Sequence, residues 1–211
     1  DEVSGYTNPE ESPHDFFNIG HTSTSISLAS GLAKARDLAG RRENIIALIG
    51  DGSLSGGEAL EGLNVVGEMH TNFIIVFNDN GHSIAENHGG MYRAFKALRE
   101  SGGKEGDNLF RAMGLDYRYV ADGNDCEALI AAFSAVRDTA QPVVVHIVTQ
   151  KGKGYKFAEE DPETWHYRSA FDIETGALKH PYTDPYQEVT KDFLKEQART
   201  NPNFVFLAAG T

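Results

Sequence analysis

Cysteine is almost missing from this chain. Cys126 is the one thiol in 211 residues, which excludes an internal disulfide and fits a reducing, cytoplasmic setting. Long apolar runs are missing too. None approaches the roughly 18 residues of a membrane-spanning helix, and no secretory leader is visible. Basic residues are few against acidic ones, 19 Lys and Arg to 31 Asp and Glu, a formal net charge of −12. That balance argues against nucleic acid and anionic membrane as main partners. It leaves room for a phosphorylated small molecule, which a few local donors and a metal can hold. No G-x-G-x-x-G opens a helix after a strand, so dinucleotide binding is disfavoured. The Lys151–Tyr155 loop has neither the spacing nor the Ser/Thr of a Walker A loop. The histidines offer no H-x-x-x-H or cysteine pairing for zinc.

What is present reads as α/β. Hydrophobic residues make up 40% of the chain, enough for one sizeable core. Apolar runs at 45–49, 73–77 and 142–149 predict buried strands, with a shorter one at 117–120. Helical spacing predicts helices over 22–38 (Leu28, Leu32 and Ala35 inward), 58–69 (Ala59, Leu63 and Val66 inward), 91–100, 109–113, 125–137 capped by Asp125, and 186–199. Alternation of the two implies a mostly parallel sheet flanked by helices. Residues 151–182 read as a polar loop. The chain opens on Asp1 and closes on an apolar, strand-like run, Phe204 to Thr211, so it reads as a piece of a longer polypeptide. The expected division is 1–182 as one domain and 183–211 as a linker helix plus the first strand of the next.

Chemistry concentrates at the strand ends. Gly50-Asp51-Gly52-Ser53 follows one buried strand and Asn78-Asp79-Asn80 the next. Asp51 and Asn80 would then emerge at the carboxyl ends of adjacent strands, where open α/β sheets bind ligands. One carboxylate, one amide oxygen, a backbone carbonyl and phosphate oxygens make a reasonable shell for a hard cation. Either half alone is also an ordinary polar turn; the pairing is what points to a metal. Gly20-His21-Thr22-Ser23-Thr24-Ser25 sets an imidazole and hydroxyls at a helix start, which reads as an anion site or as plain capping by Thr22 or Ser23. Lys151-Gly152-Lys153-Gly154-Tyr155 reads as a phosphate-facing loop or a solvated basic one. His146 interrupts an apolar strand and reads as a satisfied core histidine.

Together these segments resemble thiamine diphosphate enzymes, most closely the 1-deoxy-D-xylulose-5-phosphate synthases in their diphosphate-binding domain. The likeness is carried by Gly20–Ser27, Gly50–Gly52, Asn78–Asn80, Ser83–Asn87, Lys151–Tyr155 and Glu159–His166, in consistent order. The resemblance implies thiamine diphosphate and Mg²⁺ as cofactors, the metal being held by Asp51, Asn80 and the His82 backbone carbonyl. It implies that Gly52 and Ser53 contact the diphosphate, that Gly20, His21 and Thr22 line the cofactor pocket, and that Tyr155 lies against thiamine. His166, with His21, would serve at the reacting centre, His166 as a proton shuttle. The family joins pyruvate to glyceraldehyde 3-phosphate with loss of carbon dioxide, in the supply of isoprenoid, thiamine and pyridoxal precursors, and works as a homodimer. The family's upstream region and its pyrimidine-binding domain, with the activating glutamate, have no counterpart here, so the chain alone is expected to be inactive and to bind cofactor weakly at best. His82 departs from the family pattern. Asp79-Asn80-Gly81-x-Ser83-Ile84 is also similar to transketolase, and a non-catalytic homologue is the contrasting possibility.

Overall fold

The computed structural model describes residues 5–106, 108–181 and 183–207. Contacts divide the chain into two compact units, Asp1–His166 and Tyr167–Thr211. The first unit is built on a four-stranded, all-parallel sheet in the order β1 (Ile46–Gly50), β2 (Phe73–Asp79), β4 (Pro142–Val148), β3 (Asp116–Val120). The α/β architecture expected from the sequence is therefore present. The β2 and β4 positions are nearly all buried, as two-sided apolar strands must be when helices cover both faces.

Alternation along the strands sorts the core into two sides. Phe73, Ile75, Phe77, Val144 and Tyr117 join Ala47 and Ile49 in one cluster, packed with α1 (Ser25–Leu38), α3 (Gly57–Gly67), α4 (Gly90–Glu100) and α5 (Leu109–Ala112). Ile74, Val76, Val143, Val145 and Ile147 face the other way, against Leu129, Ala132 and Val136 of α6 (Cys126–Val136). Asp125 caps α6 as expected, accepting from the Glu127 amide. β1 is an edge strand, and the side chains of Ile46 and Leu48 on its outer face are exposed.

Three local expectations are corrected. The buried line of α1 is Ile26, Ala29, Ala33 and Arg36, not Leu28, Leu32 and Ala35. A short helix, α7 (Lys156–Glu160), interrupts the stretch read as loop. Phe204–Leu207 form no strand, and residues 208–211 lie outside the described residues. In the second unit, α8 (Pro185–Thr200) starts at an Asp184 cap that accepts from the Tyr186 and Gln187 amides, with Pro185 at the first helical position where its missing N–H costs nothing.

Candidate functional site

Gly50 pairs with Asn78 in the β1–β2 register, so Asp51 and Asn80 both follow the carboxyl ends of neighbouring strands. Asp51 opens α2 (Asp51–Leu54) and is almost fully buried. Its Oδ1 accepts from the Gly52 amide at 2.8 Å and its Oδ2 from the Gly81 amide at 2.6 Å. That second bond ties the two strand-end turns to each other. Beyond it, Asn80 Oδ1 accepts from the His82 amide at 3.0 Å, and His82 Nδ1 lies 2.9 Å from the Asn80 carbonyl oxygen. Burial pushes the Asp51 carboxyl up to about 6, with Asp79 adding to the rise and the Gly52 and Gly81 amides opposing it. Gly52 is a cradle with no spare room, because a Cβ there would overlap Ser83 Oγ.

Asp79, between Asn78 and Asn80, turns inward. Phe73, Ile75, Phe77 and Asp79 share one face of β2 by alternation, which drives a carboxylate into the core. It survives there because it is fully paired. Arg99 of α4 donates through Nη1 to both oxygens, at 2.7 and 2.6 Å. His146 Nε2 lies 2.9 Å from Oδ2, and Tyr117 Oη lies 2.7 Å from His146 Nδ1. With Asp79 ionised and a single proton on the imidazole, Nε2–H donates to Asp79 and Nδ1 accepts from the Tyr117 hydroxyl. Burial opposes ionisation of Asp79, but the His146 and Arg99 hydrogen bonds and the Arg99 charge hold its carboxyl below the usual range. Burial raises the Tyr117 hydroxyl far above its ordinary value, so it stays protonated at neutral pH. His146 is thus the satisfied core histidine the sequence suggested. Asp79 and Arg99 are structural partners that the expected site set omits.

The remaining candidates fall into three groups. His21, Thr22, Gly50 and Ser53 line one cavity of about 340 Å³, together with Ser23–Ser25 and Leu48. Gly20 borders a neighbouring recess with Tyr6. The cap of α1 is Thr24, not Thr22 or Ser23, and its side chain makes no cap bond. Thr24 instead donates to the His21 carbonyl at 3.3 Å, and Ser23 sits at φ 73°. Asn80 and His82 line a second cavity, on the α4 side. Tyr155 belongs to an aromatic cluster with Phe157 and Trp165, ring centroids 5.5 and 5.1 Å away. His166 follows Trp165, is exposed, and bonds through its amide to the Glu163 carbonyl at 3.2 Å. Lys151 connects this last group to the strand-end turns, donating to the Ser83 and Ile84 carbonyls at 2.5 and 3.1 Å. Desolvation lowers its ammonium, against the pull of Asp51 and Glu163, which places a cation within reach of the Asp51 field.

Among the described residues no group of three His, Cys, Asp or Glu could hold a metal. The expected shell contains one carboxylate, one amide oxygen and one carbonyl, and is completed by phosphate oxygens, so it is not of that kind. No helix among the described residues is long and apolar enough to cross a membrane.

Comparison with known proteins bears on this arrangement. The 1-deoxy-D-xylulose-5-phosphate synthase family model matches residues 1–105 and 101–149. The synthase of Clostridium kluyveri is 36% identical over 243 residues, covering 98% of this chain and 39% of that protein. That of Halalkalibacterium halodurans is 38% identical over 245 residues, with the same coverage. The chain therefore spans about 39% of the length of these relatives. The aligned stretches are longer than the 211 residues here, so the relatives carry residues with no counterpart in this chain. Among solved structures, Leishmania mexicana transketolase shares the fold, with a TM-score of 0.58 and 18% identity over 95% of this chain and 34% of that one. The motifs, their placement on the sheet and the extent of the sequence match agree, and this chain belongs to the 1-deoxy-D-xylulose-5-phosphate synthase family.

Proposed function

We propose that the chain is the diphosphate- and Mg²⁺-binding part of a thiamine diphosphate-dependent transferase that condenses pyruvate with glyceraldehyde 3-phosphate, releasing carbon dioxide and forming 1-deoxy-D-xylulose 5-phosphate. The observation that carries this reading is the 2.6 Å bond from the Gly81 amide to Asp51 Oδ2, which joins the turns after β1 and β2 into one oxygen-rich corner. The residues fit the cofactor. Asp51 is a buried carboxylate whose ionisation is disfavoured, and a divalent cation would reverse that. The Gly52 position admits no side chain, which keeps the backbone open to a close approach by diphosphate.

In this reading Asp51, Asn80 Oδ1 and the His82 carbonyl hold Mg²⁺, which neutralises and orients the diphosphate. Gly52 and Ser53 meet the diphosphate through their backbone. Gly20, His21 and Thr22 line the pocket, and Tyr155, braced by Phe157 and Trp165, packs against the thiamine. Thiamine diphosphate, when bound, supplies the carbanion chemistry, and the protein supplies orientation and electrostatics. His166 exchanges a proton with the reacting centre from the exposed end of the aromatic cluster, and His21 assists. The working enzyme is a cytoplasmic homodimer whose glutamate-bearing second half lies outside these residues, so the chain by itself turns over no pyruvate.

Calorimetric titration with thiamine diphosphate in the presence of Mg²⁺ tests the assignment. Metal-dependent binding is expected, weakened at least about tenfold in Asp51→Asn, as for loss of one charged ligand. Unchanged binding in Asp51→Asn would remove the metal role. Pyruvate-dependent carbon dioxide release by the chain alone would sink the inactivity claim.

A further inference from the structure

The second cavity, about 360 Å³, is lined on one side by the Asn80–His82 turn and on the other by cations that the cofactor reading does not use. One wall is α4, which contributes Arg93, Lys96 and Arg99 at three-residue spacing. The loop after β2 contributes His82, Asn87 and His88. Among the described lining residues the acids are Glu86 and Asp79, and Asp79 is already paired with Arg99 and His146. In a chain of net charge −12, this is a local reversal of sign.

Two details distinguish the cavity from a merely basic surface. The Arg99 guanidinium is fixed in place by the bonds of its Nη1 to both oxygens of a carboxylate that solvent does not reach. Asn87 Nδ2 is buried with no acceptor among the described residues, although Asn87 Oδ1 accepts from Ser83 Oγ at 2.6 Å. A buried donor left unpaired is costly, and an acceptor-bearing ligand removes that cost. The other two cations are available: Arg93 makes no ion pair among the described residues, and Lys96 has a loose 3.8 Å contact with Glu100, both side chains mostly exposed.

We propose that this cavity binds a phosphomonoester of a small molecule, its phosphate held by Arg93, Lys96 and the preset Arg99, with Asn87 Nδ2 donating to an oxygen of the ligand. Phosphate offers the several strong acceptors such a donor set requires, and the volume lies within the range of small-molecule sites. The cavity adjoins the proposed metal corner, since Asn80 and His82 line it, but Asp51, Ser53, His21 and Thr22 line no part of it.

The test is calorimetric titration of the chain with inorganic phosphate and with glycerol 3-phosphate, at constant ionic strength balanced by chloride. Saturable one-site binding is expected for both. Arg93→Ala combined with Lys96→Ala should weaken it at least about tenfold; both side chains are exposed, so the denaturation midpoint should hold. Asp51→Asn, whose side chain lines no part of the cavity, should leave the phosphate titration as it was. Absence of saturable binding, or equal affinity in the double variant, would each overturn the proposal. Failure of cofactor binding in Asp51→Asn with phosphate binding intact separates the two sites.

Discussion

Replacing Arg99 with methionine should cost far more stability than a partly exposed arginine on a surface helix normally would. Asp79 has no exposed surface, whereas the Arg99 side chain is 29% exposed. Removing one partner of a buried pair typically costs about 3–5 kcal/mol, because the other charge is stranded. Here His146 Nε2 stays 2.9 Å from the carboxylate and the Gly81 amide 3.3 Å, which places the expected loss near the lower end, about 3 kcal/mol. For a unit of this size that corresponds to a fall of roughly 6–12 °C in Tm. Urea denaturation followed by tryptophan fluorescence reads it, Trp165 being the one reporter in the chain. Lys96→Met is the control: its 3.8 Å contact with Glu100 is exposed on both sides, and its loss should cost under about 0.5 kcal/mol. If Arg99→Met cost less than about 1 kcal/mol, Asp79 would not depend on Arg99, and the buried network would have to be reassigned.

Tyr117→Phe should destabilise by about 1–3 kcal/mol, since His146 Nδ1 would be left buried with no donor; a change below about 0.5 kcal/mol would contradict the assigned tautomer. Gly52→Ala should lose about 1–3 kcal/mol by overpacking against Ser83 and weaken Mg²⁺-dependent cofactor binding, with Ser83→Gly on the same chain restoring part of both. The sign of the Asp51 effect on metal-free stability follows from its folded value of about 6 against an ordinary 3.8. The folded state holds that proton more tightly, so its contribution is complete below pH 3.8 and lost as pH rises through about 6. Stability curves of the wild type and Asp51→Asn should therefore diverge over that window by about 3 kcal/mol, and parallel curves would refute the shift.

The sheet was legible because its strands are long apolar runs bounded by turn residues, and the corner at Asp51 and Asn80 because both follow such runs. The face of α1 was not. Leucine outweighs alanine in any periodicity reading, yet α1 lies so close to α3 that a Cβ on Gly62 would meet Ile26 Cγ2 at 3.0 Å and Ser27 Oγ at 2.9 Å. Close approach selects the small residues Ala29 and Ala33 for the inward line and leaves Leu28 and Leu32 at its margin. Asp79 could have been found. It continues the inward alternation of Phe73, Ile75 and Phe77, and an inward carboxylate demands a partner; His146 interrupts the neighbouring apolar strand. Arg99 carried no such signal, because a cation near a helix end reads first as a response to the helix dipole.

The all-parallel ladder also bears on the order of assembly. With no hairpin available, every strand pair must close a crossover before it gains a hydrogen bond. Ile46 meets Ile74 across 28 residues (74 − 46), whereas Phe73 meets Pro142 across 69 (142 − 73). The logarithmic cost of loop closure favours the shorter crossover by about 0.8 kcal/mol. Asp116 meets Val143 across 27 residues (143 − 116), so β1–α3–β2 and β3–α6–β4 are two equally economical nuclei. The first carries Asp51 and Asn80 at its strand ends: the corner that would receive the metal is drawn together by a short crossover, at less cost than the β2–β4 pairing that joins the two halves of the sheet.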